Sequence, residues 1–224
     1  AMFDTLMKLA RDNDMLALGH VPLSVSVTHA LAEGMRSIEH FTGYDRAVSR
    51  TGSGGTFGWA NADEMRFGGL VQQTLAAGTW NCPTLAIYAT LSRGHSAADR
   101  TAIVGARQRF VKALHDAGAP LLAGSDAGIE VVAPGVSLHD ELDQFVASGL
   151  TPYEALRIAT VKAAEFFGRT DFGVVAVGAR ADLILVGANP LEDIRRARDI
   201  GGVVLAGAWT PQRELVSRTS GWKQ

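Results

Sequence analysis

The stretch MLALGHVPLSVSVTHALAEGMRSIEH, residues 15–40, decides the fold because it contains one complete strand–helix–strand unit. The apolar run at residues 15–18 leads to His20 and predicts a short buried strand. Apolar residues then recur at helical spacing up to Gly34, which predicts a helix with a glycine stop. A second short strand is predicted to end at His40. The segment therefore predicts two strands that each end in a histidine and are joined by a helix.

The same alternation continues upstream and downstream of this unit. An amphipathic run predicts a helix before it, and the glycine-rich segment 41–60 predicts a long mobile loop after it. Two further apolar runs predict strands at 79–85 and 120–125, the first of them followed by a polar loop. The helices expected in this part of the chain cover about residues 61–77, 98–117, 137–149 and 152–167, the last opened by Thr151-Pro152.

The pattern changes at residue 171, where short β-type runs begin at 173–175, 182–186 and 202–205. Before it, strands alternate with helices, which implies a parallel sheet because parallel neighbours need a crossover that can hold a helix. A complete (β/α)8 barrel needs about 250 residues and eight units, whereas only four strands are counted here. We therefore expect an α/β fold: part of a TIM-type barrel, or a small open sheet, over residues 1–170, with a small β appendage over 171–224.

The composition is that of a folded domain and excludes several classes of partner. With 224 residues, 47% of them hydrophobic and 20% charged, the chain can bury a substantial core. A net charge of −2 without a basic cluster argues against a nucleic-acid partner, and no stretch approaches the ~20 apolar residues that span a bilayer. The single cysteine, Cys82, forms no intrachain disulfide. We expect a cytoplasmic protein, with any signal peptide lying upstream of this sequence.

The glycine-rich segment 51–58 invites comparison with a phosphate-binding loop. Phe57 stands where the pattern Gly-x-Gly-x-x-Gly requires its third glycine, and no Gly-Lys-Ser/Thr follows. A nucleotide-binding open α/β domain is therefore disfavoured, and a flexible lid is expected here instead.

Three of the four predicted strands end in a side chain that can bind a metal: His20, His40 and Asp126. In a parallel barrel the carboxyl ends of the strands converge, and catalytic groups lie there. A strand-end histidine by itself is more often a hydrogen-bonded core or rim residue, but the joint placement of the three favours a metal site. Imidazole nitrogens and a carboxylate are ordinary zinc donors, although manganese, iron or cobalt would accept the same set.

Two further residues have weaker claims to a place in a binding pocket. Tyr44 lies just beyond His40 and could contact a substrate, or it could pack at the rim. His139 lies near the start of a predicted helix after the last strand, where a surface or capping role competes with substrate binding.

The sequence also resembles a family, the amidohydrolase superfamily of binuclear or mononuclear metal hydrolases, and within it the imidazolonepropionase and prolidase-like branch. The segments that carry the resemblance are GHVP at 19–22, AEGMRSIEH at 32–40, LAGSDAG at 122–128 and GLTPYEAL at 149–156. The tail segment GARADLIL at 178–185, followed by NPL at 189–191, resembles the small β domain that these enzymes carry beside the barrel.

The resemblance implies specific roles for the strand-end residues. His20 matches the metal ligand of the family's fifth strand, His40 that of the sixth, and Asp126 the aspartate of the eighth, so the chain corresponds to about the last four βα units. In the family that aspartate both binds the metal and takes a proton from water, and a complete site holds one or two ions, here expected to be zinc. The implied reaction is hydrolysis of an amide-type bond, either a non-peptide C–N bond or a dipeptide bond, in a small-molecule substrate.

The sequence departs from the family pattern in its first strands. It contains no His-x-His pair, and none of its lysines stands at the position of the family's metal-binding lysine. We therefore expect a truncated representative of the family. The alternative is a catalytically incompetent half-barrel that needs a missing N-terminal half or associates with itself through its open barrel edges.

Overall fold

The computed structural model describes residues 2–128 and 132–219 and contains a three-stranded parallel sheet in the order β1-β2-β3. The strands are β1 (Leu18–Gly19), β2 (Ser37–Glu39) and β3 (Trp80–Cys82). A parallel bridge between Asn81 and Leu121 adds a fourth segment beside β3. The four predicted strand positions are thus confirmed as consecutive parallel neighbours, although each is shorter than the apolar run that predicted it.

Helices connect these strands and follow them. Their bounds are α1 (Met2–Asp12), α2 (Val27–Ala32), α3 (Tyr44–Val48), α4 (Gly55–Ala60), α5 (Phe67–Ala77), α6 (Leu85–Leu91), α7 (Ala97–Asp116), α8 (Val136–Ala147), α9 (Pro152–Ala159) and α10 (Val161–Phe166). Short 3-10 helices cover Glu64–Arg66, Ser92–Gly94 and Ile194–Arg198. In the described ranges no helix is long and apolar enough to cross a membrane.

Local sequence explains where several of these helices begin and end. Thr151 caps α9 through a capping box with Glu154, and Pro152 occupies the first turn, as the sequence predicts. Gly78 ends α5 with φ 63°, a left-handed conformation that glycine adopts without steric cost. These local signals fix where α9 begins and where α5 ends.

An aromatic cluster forms the centre of the core between the sheet and helices α3, α4, α5 and α7. Phe110 of α7 contacts four other rings, with centroid distances of 5.0 to 5.7 Å. These rings belong to Phe41, Tyr44, Trp59 and Phe67, all of them buried. The prediction that 41–60 forms one long mobile loop is therefore wrong, because the segment contains α3 and α4 and contributes buried rings to the core. Residues 51–57 remain largely exposed, and the lid expected at 51–58 stays a prediction.

Three smaller predictions also need correction. The segment after β3 is the helix α6 and not a polar loop. The helix predicted over 152–167 is interrupted at Thr160, whose φ of −126° and ψ of −79° separate α9 from α10. Residues 173 and 174 form bends, and none of the residues 173–175 belongs to a strand.

The C-terminal part contains a second, antiparallel sheet of β4 (Leu183–Val186), β5 (Ile200–Leu205) and β6 (Ala208–Pro211), followed by α11 (Gln212–Thr219). The β-type runs predicted at 182–186 and 202–205 are thus confirmed, whereas β6 was not predicted. Arg198 connects this part to α8 through ion pairs with Asp140 and Asp143. Residues 220–224 of the predicted appendage lie outside the described part of the chain.

Candidate metal centre

The carboxyl ends of the parallel strands bring the predicted donor residues to one edge of the sheet. His20 directly follows β1, and His40 directly follows β2. Their rings meet edge to face with centroids 4.8 Å apart. Asp126 lies beyond the fourth strand segment, and its Oδ2 is 3.9 Å from Nε2 of His40. Each of the three predicted donors therefore has another of them as a neighbour.

A short hydrogen-bond chain fixes the imidazole of His40. The hydroxyl of Thr84 donates to the carbonyl of Pro83 at 2.8 Å, and its Oγ1 lies 2.7 Å from Nδ1 of His40. Because the hydroxyl proton is already used, Oγ1 accepts a hydrogen bond from Nδ1–H. Nε2 then carries a free lone pair on the side that faces Asp126. This is the usual state of a metal-binding histidine, whose second nitrogen is held by a hydrogen bond.

The backbone at this edge is strained. His40, Phe41, Thr84 and Asp126 have φ values of 58°, 57°, 46° and 53°, in the left-handed region that L residues other than glycine seldom adopt. Each such residue costs about 1 kcal/mol or more and persists only where surrounding contacts hold it. Strain of this kind concentrates at functional sites, which supports a functional role for the strand ends.

Burial keeps the imidazole of His40 neutral near pH 7. Desolvation lowers the pKa of His40 below its ordinary value of 6.5, and the carboxylate of Asp126 opposes part of that shift. The side chain of His40 is 13% exposed, whereas that of Asp126 is 43% exposed. Metals bind the neutral ring, so the lowered pKa reduces competition from protons.

The donor set fits a divalent metal in its chemistry and partly in its geometry. Nε2 of His40 and Oδ2 of Asp126 are 3.9 Å apart, which is close to, but wider than, the ~3.3 Å expected between two donors of one tetrahedral zinc ion. His20 is exposed. Within residues 2–128 and 132–219, the three residues do not offer one donor atom each within 4.8 Å of one another.

A tighter group of donor atoms lies elsewhere, on α1, on α2 and at the residue that caps the C-terminus of α2. Asp4, His29 and Glu33 each offer an atom within 4.8 Å of the others. His29 contacts Asp4 at 2.6 Å, and Arg11 contacts the carboxylate of Glu33 at 3.2 Å. Ion pairs within the chain therefore account for this group without a metal.

The structure places Tyr44 in the core, away from any surface that a substrate could reach in this conformation. Its side chain is 0% exposed, and its hydroxyl lies 2.7 Å from Oγ1 of Thr74. Burial raises the pKa of Tyr44 to about 12. The residue packs against Phe41 and Phe110, so packing explains its position, and its substrate role stays a prediction without structural support.

His139 lies on α8, half-buried beside the C-terminal part of the chain. Desolvation lowers its pKa, with Arg198 acting in the same direction and Asp143 and Asp140 opposing it. Within the described residues its Nδ1 has no hydrogen-bond partner. None of these charged neighbours is a predicted metal donor, and the role of His139 in substrate binding stays a prediction.

Two buried charged residues that support the strand ends were not predicted. Arg107 of α7 donates from Nη2 to the carbonyls of His40 and Pro83, at 3.1 and 2.7 Å. Glu141 of α8 accepts a hydrogen bond from the backbone N–H of Ala86 at 2.8 Å. Each of these residues interrupts the apolar face of its helix. That interruption is the sequence pattern from which a buried charged residue could have been predicted.

Comparison with known sequences identifies one family. Residues 1–210 match the profile of the Amidohydrolase family. Adenine deaminase 2 of Agrobacterium fabrum is 38% identical over 80 residues, which make up 34% of this chain and 13% of that protein. Adenine deaminase 2 of Rhizobium johnstonii is 35% identical over 82 residues, which make up 35% of this chain and 14% of that protein.

Solved structures share the fold. A bottromycin amidohydrolase superposes with a TM-score of 0.72 at 24% identity, over 97% of this chain and 55% of its own. A Xaa-Pro dipeptidase with methionine bound in its active site superposes with a TM-score of 0.69 at 22% identity, over 93% of this chain and 48% of its own. The chain thus has an α/β fold related to the TIM barrel, and it spans about half the length of these two structures.

Proposed function

Because the chain belongs to the amidohydrolase family, we propose that it contributes to a metal-dependent hydrolase that cleaves a C–N bond in a small molecule. One observation carries the proposal: Nε2 of His40 presents its lone pair toward Asp126, 3.9 Å away, at strained strand ends. His20 lies beside His40. Two imidazoles and a carboxylate at one edge form a donor set that suits metal hydrolysis.

The names of the similar proteins favour C–N bonds as the substrate class. A deaminase, a dipeptidase and an amidohydrolase all act on bonds to nitrogen. We propose that the bond cleaved is of the amide type, either non-peptide or in a dipeptide. We do not propose a nucleic acid as partner, because the chain carries a net charge of −2.

We assign His20, His40 and Asp126 as metal-binding residues and Asp126 also as the catalytic base. A divalent ion held by them would activate water and polarise the scissile carbonyl. The carboxylate of Asp126 would accept the proton of the attacking water and pass it to the leaving nitrogen. Thr84 holds the ring of His40 in the tautomer that this role needs. We propose zinc as the ion, in one or two copies in a complete site.

We further propose that residues 1–170 supply about the last four βα units of the barrel and that 171–224 form the small β domain. Support comes from the consecutive parallel order of the strands and from the separate antiparallel sheet near the C-terminus. It also comes from the coverage, because nearly the whole chain superposes on about half of each similar structure.

The test is hydrolysis by the zinc-loaded chain of three substrate types: N-acyl amino acids, Xaa-Pro dipeptides and an aminopurine. Released amine or ammonia is measured for the wild type and for Asp126→Asn, which keeps the shape of the side chain but is a far weaker base. We expect at least one substrate to be hydrolysed by the wild type and the rate to fall by 10²-fold or more in the variant, in line with loss of a general base. Equal rates in the two chains would refute the role of Asp126.

A second candidate function is a non-catalytic half-barrel that associates with itself. It is favoured by the outer edge of β1, which has no partner strand in the described ranges, and by exposed apolar residues in β1 and in the segment that precedes it along the chain. These residues are Leu6, Leu9, Leu16 and Leu18. An open edge beside apolar surface favours pairing with another chain.

Light scattering coupled to size-exclusion chromatography tests this candidate. We expect a dimer or larger species that Leu18→Lys disrupts and that Leu191→Lys, at a similarly exposed position in the C-terminal part, leaves intact. A monomer at micromolar concentration would rule out self-association.

A further inference from the structure

Arg107 is a buried guanidinium whose hydrogen bonds lead to the strand ends of the candidate metal centre. It is 1% exposed, and its Nη2 donates both to the carbonyl of His40 and to that of Pro83. The carbonyl of Pro83 also accepts the hydroxyl proton of Thr84. Arg107 therefore connects to His40 twice, directly through the backbone and through the Pro83–Thr84 pair that holds Nδ1 of the ring.

The guanidinium of Arg107 is buried in surroundings that leave part of it without hydrogen bonds, so packing alone does not explain its presence. Its Cζ lies 3.6 Å from the ring centroid of Tyr88, and desolvation lowers the pKa of Arg107 to about 10. Within the described part of the chain, Nε and Nη1 have no hydrogen-bond partner. A buried donor left unpaired is destabilising, and an apolar side chain of similar volume would avoid that cost. The arginine is therefore better explained by what Nη2 holds.

Glu141 takes the capping role at the start of α6, so the side chain of Thr84 can contact His40 instead. Thr84 precedes α6 in the N-cap position, but its side chain makes no capping hydrogen bond. The carboxyl group of Glu141 reaches the start of α6 from α8 and accepts from the N–H of Ala86 instead. The hydroxyl of Thr84 is thus free to join Pro83 and His40, and Glu141 also places a carboxyl group near Arg107.

We propose that Arg107 is a positioning residue of the metal centre, which sets the strand-end conformation and the ring tautomer of His40. It fixes the carbonyl of His40, and it also fixes the position of the Pro83 carbonyl, whose second lone pair accepts the hydroxyl proton of Thr84. A lone pair of Oγ1 then faces Nδ1–H of His40, and Nε2 is presented for binding. The proposal rests on the proposed function, since it treats His40 as a ligand, but the tautomer it describes exists in the metal-free chain.

The test measures the His40 tautomer and the zinc affinity separately. Heteronuclear NMR of the metal-free chain with 15N-labelled histidine distinguishes Nδ1–H from Nε2–H, and His40→Gln identifies the resonances. We expect Nδ1–H in the wild type and a mixture in both Arg107→Lys, which loses the planar fork, and Arg107→Met, which loses the charge. Competition with a chromophoric chelator should show zinc binding about 10-fold weaker or worse in these variants, as for other residues that orient a ligand.

A matched control and a coupled variant make the test specific. Arg109→Met removes an exposed arginine two positions along α7 that pairs with Glu64, and it should change neither readout. Thr84→Val should shift the tautomer as Arg107→Met does. Adding Arg107→Met to Thr84→Val should then shift it little further, because the two residues act in one chain of contacts.

The outcomes separate this proposal from the proposed function. A folded Arg107 variant that retains the wild-type His40 tautomer overturns the positioning role. Failure of both Arg107 variants to fold also overturns it, because Arg107 would then be a requirement of the fold itself. If the wild type binds no zinc while the Arg107 variants still shift the tautomer, the proposed function fails for this chain and the positioning role stands.

Discussion

Replacing Glu141 with glutamine is expected to remove a pH dependence from the free energy of unfolding. Desolvation raises the pKa of Glu141 from its ordinary 4.5 to about 7, despite hydrogen bonds from the backbone at Ala86 and Leu85. In the unfolded chain the carboxyl group returns to its ordinary pKa. Between these two values the folded chain binds more protons than the unfolded chain, so stability falls as the pH rises from about 4.5 to about 7.

The difference between the two pKa values sets the size of the effect. At about 1.4 kcal/mol for each pH unit, the wild type loses ~3 kcal/mol of stability over that interval through this group. Glutamine has the same shape, and its Oε1 can accept from Ala86, but it does not ionise. The stability of Glu141→Gln relative to the wild type should therefore rise by up to about 3 kcal/mol between pH 5 and pH 8.

Urea unfolding followed by circular dichroism at pH 5, 6, 7 and 8 measures this difference. Glu165→Gln provides the control, because Glu165 is an exposed residue of α10 paired with Lys162, and its effect should vary little over the same range. If the stability difference between Glu141→Gln and the wild type were the same at pH 5 and pH 8, the inference that burial keeps Glu141 neutral would be refuted.

Three further predictions concern packing, capping and reactivity. In Gly124→Ala the new Cβ would lie 2.4 Å from Sγ of Cys82. Urea unfolding should therefore show a free energy of unfolding lower by about 1–3 kcal/mol, and adding Cys82→Ala should restore most of it. An unchanged unfolding midpoint in Gly124→Ala would contradict the close approach. Thr151→Ala removes the capping box with Glu154 and should lower the stability measured by thermal unfolding by about 1 kcal/mol. Thr151→Ser keeps a capping hydroxyl and should lower it less. Equal losses of stability in the two variants would argue against the cap. Burial raises the pKa of the Cys82 thiol, so a disulfide reagent at pH 8 should label it only after unfolding, and rapid labelling of the folded chain would be inconsistent with this environment.

The positions of the strand-end donors could be predicted because each follows a short apolar run. His20 and His40 come directly after strands that the sequence predicts, and the parallel order brings their carboxyl ends to one edge. The start of α9 was equally accessible, because Thr151, Pro152 and Glu154 form a local capping pattern that does not depend on the rest of the fold.

The two helices within 41–60 could not be recognised when the glycines of the segment were given more weight than its aromatic residues. Phe41, Tyr44 and Val48 stand at helical spacing and are fully buried. Gly58 is required by packing, since a Cβ there would lie 2.4 Å from the backbone oxygen of Asp45. Gly58 therefore permits close approach of the backbone.

Arg107 and Glu141 show a different limit of the sequence. Arg107 lies on the same face of α7 as Ile103 and Phe110, and Glu141 precedes Phe145 by one turn of α8. A charged residue within an apolar face could have been noticed from this spacing. Its partners could not, because the carbonyls at His40 and Pro83 approach it only through tertiary packing.

Zinc stoichiometry of the purified chain and its histidine variants tests the central claim most directly. Mass spectrometry of metal content after zinc loading and buffer exchange compares the wild type with His20→Ala, His40→Ala and His29→Ala, the last of which disrupts the group formed with Asp4 and Glu33. The account predicts bound zinc in the wild type and in His29→Ala, with the metal lost in His20→Ala and His40→Ala. Zinc retained in both His20→Ala and His40→Ala but lost in His29→Ala would contradict it.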